Sequence, residues 1–195
     1  MAINRQQLSQ DLRRFYDFAN KTVLLVGAGN RLLFDSEVQT RKLIAIDYDI
    51  SALEELKVNT QGENSVEMIA ADFADVTISG DVVCFEFCLH EMMRPYEALL
   101  HARGLAPDIV VFDHSPDSEW SFYAAEDDKV RRCTGAMQRF GIRHREAFRT
   151  EQHFRDHEEL LAKLIRQGPV ATERTRHLAG GTDIVIAMDY QLALL

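Results

Sequence analysis

The run Lys21-Thr22-Val23-Leu24-Leu25-Val26-Gly27-Ala28-Gly29-Asn30 is followed by a second apolar run, Leu43-Ile44-Ala45-Ile46-Asp47, and the stretch closes at Asp49. A short β-branched and leucine run bounded by glycine suits a buried parallel strand. Gly27 and Gly29 carry no Cβ, so the backbone turns sharply there and approaches a ligand closely. The order is strand, glycine turn, helix, strand and terminal acid. Asp47 then stands at the tip of the neighbouring strand, where a carboxylate accepts both hydroxyls of a ribose.

The same turn excludes a ligand class. A dinucleotide fold needs a third glycine to pack its helix over a pyrophosphate, and that position is Leu32. NAD and FAD are therefore disfavoured. A GxG turn with the acid retained suits a nucleoside without a pyrophosphate, of which S-adenosylmethionine is the common one.

Three further segments extend the pattern: Ala71-Asp72-Phe73 after a third strand, Asp81-Val82-Val83-Cys84-Phe85-Glu86-Phe87 as a fourth, and Cys88-Leu89-His90-Glu91 after it. With them the chain resembles the class I S-adenosylmethionine-dependent methyltransferases of small-molecule type over its first ~115 residues, and in outline over the rest. The resemblance implies an α/β, Rossmann-like, doubly wound and mostly parallel seven-stranded sheet closed by a C-terminal antiparallel hairpin. It implies S-adenosylmethionine as cofactor and S-adenosylhomocysteine as product. The cofactor would lie against Gly27, Ala28, Gly29, Asn30, Asp47, Tyr48, Asp72, Phe73, Glu86 and Phe87. Asp47 would hold the ribose, Tyr48 would lie on the adenine, and Asp72 would receive its amino group. Two departures touch the methionine end. Leu25-Val26 stands where the family carries an acid, and Arg31 replaces a usual glycine.

The bulk numbers fit one ordinary globular domain: 195 residues, 46% hydrophobic and 27% charged. The expected division is an N-terminal helix over 1–20, a cofactor half over 21–114, and acceptor-side helices with the closing hairpin over 115–195. A net charge of −9 argues against nucleic acid as partner, because polyanions demand a positive surface. No apolar run is long enough for a membrane span. Cys84, Cys88 and Cys133 form no CxxC pair and read as reduced thiols of a cytoplasmic protein. The expected partner is a small-molecule methyl acceptor, with a homodimer the other association considered.

Asn4 caps a leading helix whose Leu8, Leu12, Phe15, Tyr16 and Ala19 recur at helical spacing. Helices are expected over Arg31–Lys42, Ser51–Thr60, from about Cys88 with a fresh first turn at Pro95, over Phe122–Phe140 and over Glu151–Gln167. Strands are expected at Val66–Ala70 and Asp108–Asp113. A closing hairpin of Ala171–Leu178 and Thr182–Asp189 would turn on Gly180-Gly181.

His90, His114 and Glu86 are the catalytic candidates. Methyl transfer needs an acceptor lone pair, and a histidine takes a proton near neutral pH. His90 ranks first, as the opening of a helix whose amides disfavour the imidazolium. The ordinary reading is a packing or capping histidine. Tyr16, Glu91, Trp120 and Tyr123 are the candidates for the acceptor pocket, against core packing for the aromatics. His153 and His157, four apart on an expected helix, lack a third ligand, so no metal is expected. Eight basic residues between Lys129 and Arg155 face two acids, Glu146 and Glu151, and suggest a cationic surface for an anionic acceptor or subunit. The readings kept beside methyl transfer are a non-catalytic S-adenosylmethionine-binding protein and an aminopropyl-transfer or other nucleoside-binding enzyme.

Overall fold

The computed structural model describes residues 2–29, 39–59 and 66–195. Thr22–Val26 forms strand β2, buried from Val23 onward. It pairs in parallel with β3 (Lys42–Asp47) on one side and β5 (Val82–Glu86) on the other, with Leu24 facing Ile44 and Val83. β4 (Val66–Ala70) extends the sheet beyond β3, and β6 (Asp108–His114) extends it beyond β5, both parallel. β8 (Thr182–Leu194) then runs antiparallel between β6 and β7 (His144–Asp156). Among the described residues seven long strands thus make the sheet, and the two-residue β1 (Ala2–Ile3) adds an edge along β7.

Strand alternation divides the core into two faces. Val23, Leu25 and Cys84 point to one side, against Leu8 and Leu12 of α1 (Arg5–Phe15), Leu56 of α2 (Ile50–Asn59) and Leu160 of α6 (His157–Leu164). Leu24, Val26 and Phe85 point to the other, against Leu99 of α3 (Pro95–Leu105) and Met137 of α5 (Asp127–Phe140). The chain winds outward from β2 to β4, then returns to the far side of β2 as β5. That reversal falls between β2 and β5, and the tips of strands at such a point are the place where open parallel sheets hold ligands.

Asn4 caps α1 as expected, accepting the Gln7 amide at 3.1 Å. The C-terminal half differs in detail. The antiparallel pair is β7 and β8, and it is joined through α6 and α7 (Pro169–Arg174) instead of a tight Gly180-Gly181 turn. Residues expected as strand over Ala171–Leu178 wind into α7 and a 3₁₀ turn, because Pro169 sits in a first helical turn, where its fixed φ is favourable. The expected helix from Glu151 begins only at His157. Residues 151–156 belong to β7, whose inward face is Phe148, Thr150, Gln152 and Phe154. Two polar residues on that face hide the period-2 signal. His153 therefore lies on a strand and His157 on α6, and the two share no helix face. The expected helix over Phe122–Phe140 is two helices, α4 (Glu119–Tyr123) and α5, broken at Ala125 with φ +58°. The segment expected as helix after Arg31 and the loop at Gln61-Gly62-Glu63-Asn64 lie outside the described residues, apart from 39–42. No helix of the described residues is long and apolar enough to cross a membrane.

Candidate functional site

Gly27 and Gly29 follow β2 directly, with φ of +75° and +56°. A Cβ on Gly27 would lie 2.4 Å from the Cβ of Cys88 and 2.6 Å from its sulfur, so only glycine fits between β2 and the segment after β5. The Cys88 thiol donates to the Val26 carbonyl at 3.1 Å, tying the same two segments together. Asp47, half-buried at the tip of β3, locks the turn. One carboxylate oxygen accepts the Gly29 amide at 2.9 Å and the other accepts the Asp49 amide at 3.0 Å. Each oxygen keeps a lone pair for a further donor. Ala28 is buried beneath the turn. Asn30 lies outside the described residues.

Tyr48 follows Asp47 with its side chain 83% exposed, open to stacking. Asp72 is exposed and caps the 3₁₀ turn Phe73–Asp75, accepting the Ala74 amide at 2.9 Å. The Phe73 ring is not available to a ligand. It is buried edge-on against Phe85 at 5.2 Å and His101 at 5.0 Å, where an aromatic side chain gains most from leaving water. Glu86, half-buried, ends β5 beside Gly27. Phe87 adopts φ +47°, and its ring lies 4.6 Å from Phe112 and 4.8 Å from His114.

A buried polar cluster occupies the adjoining tips of β5 and β6. His90, in the 3₁₀ turn Leu89–Glu91, places Nδ1 2.5 Å from Asp113 Oδ1, and its backbone amide donates to Asp113 Oδ2 at 3.0 Å. Asp113 also accepts the His114 amide at 2.8 Å. On the other edge of the ring, His90 Nε2 lies 3.4 Å from Glu91 and 3.7 Å from Glu126. Glu91 is paired at 2.6 Å with Lys129 of α5. The His114 ring stands 5.4 Å from that of His90, and its Nδ1 is buried with no hydrogen-bond partner among the described residues. Gln191 of β8 holds the His114 carbonyl at 2.9 Å.

These surroundings drive the two histidines apart. Burial pulls the His90 pKa down, but its hydrogen bonds to Asp113 and Glu91 and the nearby charges outweigh it and push it up to about 10. Burial dominates at His114 and brings it down to about 4. The hydrogen bond from His90 holds Glu91 at about 2. Burial raises Glu126 to about 7, opposed by His90 and reinforced by Glu91. His90 is thus the charged imidazole, contrary to the expected neutral one. It sits in a three-residue turn flanked by carboxylates, not at the N-terminus of a full helix.

Three expected pocket residues lie elsewhere. Tyr16 donates to Asp108 at 2.6 Å at the beginning of β6, the sheet edge opposite the strand tips. The helix before β2 runs down the sheet and leaves Tyr16 at the wrong end. Trp120 is buried and stacked on Phe154 in the core. Tyr123 is buried with its hydroxyl 3.1 Å from His177 of the 3₁₀ turn after α7. Glu91 alone of the four joins the cluster. The basic segment after residue 129 is largely paired locally: Arg131 with Asp127 and Asp128, Arg143 with Asp108, and Arg155 with Asp156. Asp113, Glu126 and Gln191 were not singled out from sequence. Asp113 carries a signal, an acid at a buried strand tip before a histidine. Glu126 has none, since its burial depends on the break at Ala125.

No protein-family model and no curated protein sequence matches the chain. Solved structures do. A candidate methyltransferase from Bacillus halodurans is similar with a TM-score of 0.64 at 17% identity, over 95% of this chain and 96% of that one. An S-adenosylmethionine-dependent methyltransferase from Aquifex aeolicus is similar with a TM-score of 0.60 at 15% identity, over 98% and 89%. A candidate RNA methyltransferase from Pyrococcus horikoshii is similar with a TM-score of 0.61 at 14% identity, over 97% and 81%. At such identities likeness speaks for architecture, and with the strand order and the glycine turn it identifies the fold of this chain as that of the class I S-adenosylmethionine-dependent methyltransferases.

Proposed function

We propose that this chain transfers the methyl group of S-adenosylmethionine to an oxygen, nitrogen or sulfur atom of a small molecule. The observation that carries this reading is the Gly27–Gly29 turn fixed by Asp47 at the sheet's reversal point, one strand from a buried polar cluster. Asp47 would accept the ribose hydroxyls, Tyr48 would cover the adenine, and the backbone of Gly27–Gly29 would lie along the methionine end. Asp72 would bind the adenine amino group with the carboxylate oxygen not used in its cap. Glu86 and Phe87 would border the sulfonium. The cofactor carries the chemistry, and the protein supplies positioning and exclusion of water. The new bond forms between the acceptor atom and the methyl carbon, and the carbon–sulfur bond breaks with its electron pair left on sulfur. An acceptor that carries a proton must lose it; neutral His114 would be the imidazole free to take it, beside charged His90 and Glu91, with Glu86 across at Gly27.

A net charge of −9 supports a small acceptor over a nucleic acid. Buried Leu25 and Val26, where an acid would grip the methionine amine, favour the second reading, a protein that binds the cofactor without turnover. Decarboxylated cofactor as the preferred ligand would indicate aminopropyl transfer. The test is crystallisation with S-adenosylhomocysteine, followed by assay of small acceptors chosen to fit the space facing its sulfur. Methylated product from any of them supports the reading. Tight cofactor binding with no product across hydroxyl, amine and thiol acceptors contradicts it.

A further inference from the structure

We propose that His90, His114 and Glu126 bind one divalent first-row transition ion, with Asp113 as the carboxylate that orients His90. One ligand atom from each of the three residues lies within 4.8 Å of the others, and all three side chains are buried. A tetrahedral ion with bonds near 2.0–2.1 Å sets its ligand atoms about 3.3 Å apart, so small side-chain shifts close the site. The spacing from His90 Nε2 to Glu126 is already 3.7 Å; Glu91, 3.4 Å from the same nitrogen, is held instead by Lys129 at 2.6 Å.

Two features distinguish this group from an incidental acidic pair. Metal-bound histidines usually give their second ring nitrogen to a carboxylate, which fixes the ring and its tautomer. His90 does this with Asp113 at 2.5 Å, and its Nε2 would release its proton to solvent as the ion binds, since only a neutral imidazole ligates a metal. His114 is 6% exposed, and its Nδ1 meets no hydrogen-bond partner among the described residues. A buried ring nitrogen without a partner costs free energy, which an ion in this cluster would offset. Two imidazoles and a carboxylate suit zinc, iron, cobalt or manganese better than calcium or magnesium. His153 and His157, the pair four apart in sequence, have no part in it.

Three protein ligands leave an open position for an oxygen atom. Resting on the methyl-transfer reading, this makes a hydroxyl compound the favoured acceptor. Bound to the ion, its O–H bond would ionise, with the proton passing to solvent. The oxygen would then take the methyl group, and S-adenosylhomocysteine would leave with the electron pair of the broken bond.

The test uses the untagged full chain, stripped with chelator and titrated with cobalt(II) and zinc(II). We expect one equivalent of cobalt per chain, a visible ligand-field band, and displacement of that band by zinc. Glu126→Gln and His114→Asn should each abolish the band, and Asp113→Asn should weaken binding by about 10–100-fold. Circular dichroism checks the fold of each variant. Absence of stoichiometric uptake, or unchanged uptake by folded Glu126→Gln, would overturn the site. Binding of S-adenosylhomocysteine is measured separately. Metal uptake without it supports the ion site and removes only the methyl-transfer reading; cofactor binding without metal removes only the ion site.

Discussion

The imidazole of His90 and the carboxylate of Asp113 lie 2.5 Å apart with both side chains almost wholly buried, joining the turn after β5 to the tip of β6. The same carboxylate takes the backbone amides of His90 and His114. One acid thus fixes the position of both histidines. Removing one partner of a buried ion pair costs roughly 3–5 kcal/mol, because the other charge is left unpaired. Asp113→Ala should lose stability of that order in urea unfolding. A loss below about 1 kcal/mol would mean that the pair does not hold the cluster together.

Gly27 and Gly29 make a contrasting pair of substitutions. Both have positive φ, but an added Cβ at Gly27 strikes Cys88, whereas at Gly29 its nearest neighbour is the Gly27 carbonyl at 4.0 Å. Gly29→Ala should cost only the left-handed backbone strain, about 1 kcal/mol. Gly27→Ala should cost about 1–3 kcal/mol more, since backbone or Cys88 must move. Thermal unfolding of the two variants measures the difference, and equal losses would contradict the close approach.

Tyr16 sits at the far edge of the sheet, so its hydroxyl should matter for stability and not for cofactor. Tyr16→Phe should leave affinity for S-adenosylhomocysteine within twofold and cost about 1 kcal/mol through the lost bond to Asp108. A tenfold loss of affinity in a folded variant would put Tyr16 back in the site.

Asp108 gives a pH signature. Burial raises its pKa, but the Tyr16 and Arg143 hydrogen bonds outweigh it and hold the carboxyl below its ordinary value. A depressed carboxyl stabilises the fold fully above the unfolded value near ~3.9, and that contribution is lost as pH falls through the lower folded value. The stability difference between wild type and Asp108→Asn should therefore be constant from pH 7 to about 5 and shrink below about pH 4. Unfolding curves across that range check it, and a difference independent of pH would show that the charge contributes nothing.

The parallel half of the sheet was legible because its strands are continuous apolar runs, such as Val23–Val26 and Ile109–Phe112, and nothing else suits a strand buried on both faces. β7 was not, because Thr150 and Gln152 occupy its inward face beside Phe148 and Phe154, and its charged outward residues favour helix as readily as strand. In the site, Asp47 and the glycines could be read locally, since a turn and its nearest strand tip fix them. Glu126 could not. It reaches His90 across a loop set by the left-handed Ala125. Phe73, Trp120 and Tyr123 are buried in the core, and sequence spacing alone does not tell a core aromatic from a pocket wall.

The most direct measurement of the central claim is calorimetric titration of S-adenosylhomocysteine into the wild-type chain and into Asp47→Ala. Each charge-assisted hydrogen bond from a ribose hydroxyl to Asp47 should be worth roughly 1.5–3 kcal/mol. The wild-type chain should bind one equivalent, and the variant, folded by circular dichroism, should bind at least tenfold more weakly. A wild-type chain that binds neither S-adenosylhomocysteine nor S-adenosylmethionine, or a folded Asp47→Ala with unchanged affinity, would contradict the assignment of the glycine turn and its acid to this cofactor.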